Sequence, residues 1–144
     1  MDYRKEKDTI FLRIDKDENV LETIENLAKK ENIMGGYFQG IGACGKVTLS
    51  TYLADKGEFL DHHISGMIEM ISLSGNIAIE NDIPTLHSHA VFSYLKDNGE
   101  IAVVAGHLKE AEISYTGEII INLAENKIEK MFDEKTGIDV WKLS

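Results

Sequence analysis

The sequence predicts an α+β fold in which a mostly antiparallel sheet carries one main helix. Three observations lead there: a series of short β-branched and aromatic segments divided by turn residues, one stretch with helical apolar spacing, and few candidates for crossover helices. A doubly wound parallel sheet would need a helix between most successive strands. The 144 residues suit one ordinary domain, and 43% of them are hydrophobic against 28% charged, which is enough apolar material for a core.

Taken in order, Thr9 to Ile14 (TIFLRI) is a branched apolar run that reads as a strand, and Asp15 to Asn19 supply turn and capping residues. From Val20 the apolar positions Leu21, Ile24, Leu27 and Ala28 fall three and four apart, giving a helix with one buried stripe. Asp17 or Asn19 would cap it, and it should end near Asn32, ahead of Gly35-Gly36. Tyr37 to Gly45 mixes glycines with apolar residues, as expected of a strand with a bulge or a close backbone approach. Lys46 to Ala54 alternates, and Lys56-Gly57 turns it into Glu58 to Ser65, a hairpin.

Further strands are expected within Met67 to Glu80, Thr85 to Leu95, Ile101 to Leu108 and Glu112 to Leu123. In the last of these, Ile113, Tyr115, Ile119, Ile121 and Leu123 share one face by the two-residue period. Neither a repeat nor a proline-rich linker divides the chain, so residues 1–144 are expected to form a single domain.

Asp and Glu number 25 against 15 Lys and Arg, a formal net charge of −10 that repels a polyanion. Arg4 and Arg13 are the only arginines, so bidentate forks for phosphate or guanine are scarce. DNA is therefore an unfavoured partner. Cys44 is the single cysteine, which excludes an intrachain disulfide and fits a reducing compartment. No secretory core or membrane-length apolar run is found, and the expected location is cytoplasmic.

The chemistry-bearing feature is Leu86-His87-Ser88-His89-Ala90, because residues two apart on a strand project from the same face and can aim two imidazoles at one point. His107 closes the next expected strand, where pairing could bring it beside them. Three neutral imidazoles suit zinc, with nickel and copper behind it, and leave a position open for water or a ligand. Such zinc lowers the pKa of bound water to about 7, which would make hydrolytic chemistry available. The acidic residues nearest in sequence, Glu80, Asp82 and Glu100, are candidates to orient the rings. A His-x-His pair serves as readily as ordinary hydrogen-bonded or surface residues, and that reading stays open.

Other features carry less. His62 and His63 are consecutive and point to opposite faces of a strand. Gly40-Ile41-Gly42 and Gly45 echo a dinucleotide fingerprint without a helix behind them, so a tight backbone contact is expected instead. Cys44 is expected to pack as a small apolar residue, Ser72 and Ser74 fit no hydrolase elbow, and Arg13 is expected to form a structural ion pair.

The ordered set Phe11-Leu12-Arg13-Ile14, the helix, Gly40-Ile41-Gly42-Ala43, Leu73-Ser74-Gly75-Asn76-Ile77-Ala78, Leu86-His87-Ser88-His89 and Gly106-His107-Leu108 resembles the plant-and-prokaryote conserved (PPC) domain, most strongly over residues 9–123. The resemblance implies a central antiparallel sheet, assembly as a homotrimer and, for stand-alone prokaryotic members, a divalent metal site at the positions of His87, His89 and His107. It also carries the family's DNA-binding label, which comes from plant members that add an AT-hook. Here Pro84 is the only proline and no arginine adjoins a glycine, so that hook is missing. The run Ile101-Ala102-Val103-Val104-Ala105 is apolar on both faces, and a single helix can cover one of them, which agrees with burial against another copy.

Overall fold

The computed structural model describes residues 1–144. Its elements run β1 (Asp2–Glu6), β2 (Thr9–Ile14), α1 (Val20–Lys30), β3 (Gly36–Leu53), β4 (Glu58–Glu80), β5 (Ile83–Leu95), β6 (Ile101–Leu123), β7 (Glu129–Asp133) and β8 (Ile138–Lys142). The sheet is antiparallel throughout except for one parallel contact, Ile79 of β4 with Glu129 of β7.

The strands are longer than their sequence segments, because irregularities bend them without ending them. β3 joins the two expected runs into 18 residues, with register shifts between Gly40 and Gly42 and between Cys44 and Lys46. β4 continues through Gly66, whose φ of +128° is easily reached only by glycine. β6 runs unbroken for 23 residues where two strands were expected.

The bends change one core assignment. Between the pairs Gly42↔Gly117 and Cys44↔Ile113, β6 advances four residues while β3 advances two, so residues 114–116 bulge. Tyr115 lies in that bulge and is 71% exposed, contrary to its expected place beside Ile113 and Ile119, which are buried. The same stretch explains the glycines: a Cβ on Gly40 would stand 2.5 Å from the Glu118 carbonyl oxygen, and one on Gly42 would stand 2.6 Å from that of Thr116. The expected tight backbone contact is what these residues make.

Four pairings, β3–β4, β4–β5, β5–β6 and β6–β3, close a ring of strands. One side of the ring meets α1, which packs on β5 and β6 and buries Val20, Ile24, Leu27 and Ala28. The helix starts where Asn19 accepts hydrogen bonds from the amides of Leu21 and Glu22, at 3.0 and 3.2 Å. Burying each of its large aliphatic side chains contributes about 1.5–3 kcal/mol. Phe38, Leu73, Phe92, Leu108 and Ile113 fill the core behind it. Cys44 is buried and unpaired there, and burial pushes its thiol up to about 12, so it packs as an inert apolar group.

Two pieces fall outside the sequence expectations. β1 pairs with β2 at one edge, and β7–β8 form a hairpin attached beside β4. No helix is long and apolar enough to cross a membrane.

Candidate metal centre

His87 and His89 lie two apart on β5 and therefore project from the same face, while Ser88 between them is buried with its hydroxyl unpaired. His107 of β6 is the direct antiparallel partner of His89, and opposite partners share a face. Ala90, next along β5, is paired with Gly106. On the other side of β6, Ser50 of β3 is level with His107, so the third imidazole is held between two neighbouring strands.

The result is a compact triangle of rings. Centroid separations are 5.2 Å for His87–His89, 5.2 Å for His87–His107 and 5.5 Å for His89–His107. One ring nitrogen from each lies within 4.8 Å of the other two. A tetrahedral zinc with bonds of about 2.0–2.1 Å places its ligand nitrogens roughly 3.4 Å apart. Small χ rotations cover the difference, and the donor set fits the metal.

Two of the rings are biased toward the neutral form that a cation needs. His87 has its proton affinity lowered by burial of its inner edge, then by His89 and by Lys130, although the residue as a whole stays open to solvent. His107 is lowered by burial first and by the other two histidines next. Neutral imidazoles present lone pairs. The histidine hydrogen bonds in the chain belong to His62 with Thr51 and His63 with Thr48, both at 3.0 Å, and not to the triangle. Neither His62 nor His63 belongs to it.

The acidic neighbours do not orient the rings. Asp82 is 3.0 Å from Lys127, Glu100 is 3.5 Å from Lys96, and Glu80 is 3.9 Å from Lys130. Ser50, level with His107, donates instead to Asp61 of β4 at 2.6 Å; Asp61 also pairs with Lys109, and Lys109 and then Ser50 hold its carboxyl below the usual range. Sequence reading also passed over Phe59, whose ring is 5.5 Å from that of His107, and Tyr52, 5.2 Å from Phe59. The signal was present, since counting back from the Lys56-Gly57 turn pairs Tyr52 with Phe59.

A groove of about 870 Å³ lies elsewhere, across β1, β2, β6, β3 and β4. It contains Phe11, Arg13, Gln39 and Ile41 and none of the histidines. Arg13 there is paired with Asp15 at 2.8 Å, the structural ion pair expected of it.

A ring of antiparallel strands backed by one helix is a fold that solved proteins share. The Plants and Prokaryotes Conserved (PCC) domain model matches residues 1–125, and the chain belongs to that family. It is similar to a PPC protein from Pyrococcus horikoshii at 30% identity and a TM-score of 0.80, covering 98% of this chain and 93% of that one. A metal-containing protein from Archaeoglobus fulgidus is 27% identical with a TM-score of 0.81, over 98% and 96% of the two chains. A suspected DNA-binding protein from Bacteroides thetaiotaomicron shares the fold at 23% identity and a TM-score of 0.89, again over 98% and 96%. No curated protein matches the chain.

Proposed function

We propose that this is a PPC-domain protein, its residues 1–144 forming a single domain, that binds one divalent metal through His87, His89 and His107. Zinc is the metal that three neutral imidazoles favour. The carrying observation is the approach of three ring nitrogens to within 4.8 Å of one another on a face where none is otherwise hydrogen-bonded. The name of the Archaeoglobus relative, a metal-containing protein, supports it.

Three protein ligands leave a coordination position for water or a small polar ligand, and a zinc there would supply Lewis acidity and an activated water. Beside the triangle this chain provides the ring of Phe59, 5.5 Å from that of His107 and itself packed on Tyr52. The test is metal content of tag-free protein beside a His87→Ala/His89→Ala double variant. One metal per wild-type chain and almost none in the variant is the expected result; equal content in both would remove the ligand set.

We also assign the protein to a cytoplasmic homotrimer. Ile101 and Val103 are 70% and 66% exposed on the face of β6 that α1 does not cover, apolar surface that a second copy would bury. Sedimentation equilibrium should return three times 16.1 kDa, and a monomer mass at micromolar concentration would end this assignment. The free, buried Cys44 is in keeping with a reducing cytoplasm.

A DNA-binding role is the second reading, favoured by the name of the Bacteroides relative. Against it stand the net charge of −10 and the two arginines, of which Arg13 is already ion-paired and Arg4 sits 2.8 Å from Glu6.

A further inference from the structure

β3 stops pairing with β4 at Gly36↔Ile77, and β7 takes up the vacated edge two residues later through Ile79↔Glu129. In a parallel pair, residues at one level point to one face, so Lys130 stands beside Glu80. Glu80, Ala78 and Asn76 alternate on that face, and Asn76 is the direct partner of His87. The topology thus delivers one lysine, from a hairpin beyond the family-matched residues 1–125, to the side of the sheet that carries the histidines.

That lysine is unusual among its kind. Its side chain is 17% exposed, the lowest of any lysine that has an acidic neighbour, yet the nearest carboxylate oxygen is 3.9 Å away on Glu80. Lys29 and Lys127, by contrast, hold carboxylates at 2.6 and 2.8 Å. A cation withdrawn from water without a close counter-charge is costly, and an anion at its head would offset that cost. The other lysine beside the triangle, Lys109, is neutralised by Asp61.

We infer that Lys130 is the anion-holding arm of this site, and that the site takes a small carboxylate with one donor on the metal and its charge on the Lys130 ammonium. The inference rests on the metal reading above. A carboxylate suits it better than a phosphate, because a lone ammonium balances one charge and both arginines are engaged elsewhere. Asn76, opposite His87, adds a buried side-chain oxygen with no donor, which a protonated group on the same ligand would satisfy.

The experiment uses tag-free full-length protein loaded with cobalt(II), whose visible absorption reports the ligand in the open position. Acetate and malonate are titrated into wild type, Lys130→Met and Lys130→Arg, with metal content measured for each. All three should hold one cobalt per chain. Wild type should bind malonate at least about tenfold more tightly than acetate, the size of one charge-assisted hydrogen bond. Lys130→Met should lose that preference and Lys130→Arg should keep part of it. Cobalt uptake with the same malonate preference in Lys130→Met overturns the role of Lys130 alone. A wild-type chain that takes up no cobalt overturns the metal site, and this inference with it.

Discussion

Gly75 lies where β4 passes beside β5, and a Cβ added there would meet the His87 carbonyl oxygen at 2.6 Å as well as the ring of Phe38. The glycine lets the histidine strand approach an aromatic core residue that is fully buried. Gly75→Ala should therefore destabilise the fold by about 1–3 kcal/mol, the usual range for overpacking, read by chemical denaturation. An unchanged midpoint would mean that β5 gives way at no cost. Histidine placement has the same local character: the pleat aligns His87 with His89 whatever the rest of the chain does.

The β7–β8 hairpin is the element least supported by its surroundings. It joins the sheet through the Ile79↔Glu129 bridge and the backbone bond from Ile79 to Ile128 at 2.7 Å, with Ile128 also donating to Met34 at 3.0 Å. A two-stranded ribbon with so few ties is marginal alone, and Phe132 and Trp141 remain largely exposed on it. Its amides should exchange with deuterium well before those at the centres of β3 and β6, each paired on both sides over part of its length. Equal protection would show that a partner covers the hairpin. Because Lys130 sits on this ribbon, its mobility would also set how firmly the ammonium is presented to the site.

For the molecule as a whole, charge decides between the two readings. At −10 the chain should show no measurable association with duplex DNA at 50 mM salt, where phosphate contacts would be strongest. Binding that falls steeply as salt rises would mean that its lysines gather on one face and would revive the DNA reading. The ring of strands gives the site its footing at this scale. β6 is the hub, touching β2, β3 and β5, so the third histidine is fixed from two sides.

Much of the fold was legible because it is written in local periods. The helical spacing of Leu21, Ile24 and Leu27 and the cap at Asn19 needed only neighbours within a turn, and the two-residue period placed His87 with His89. Where sequence reading stopped short, the missing information was pairing between distant segments. Two expected strands fused into β6 because their partners continue across the bulge at 114–116, and Tyr115 turned outward there. β7 and β8 were overlooked although Thr136-Gly137 marks their turn, since short ribbons take their meaning from what they dock against. The sequence by itself determined the elements and two aligned imidazoles, through sterics acting over a few residues. Only the tertiary structure decided that His107 stands opposite His89 and that Lys130 faces their side of the sheet, because register between strands is chosen by hydrogen bonding and burial across the whole ring.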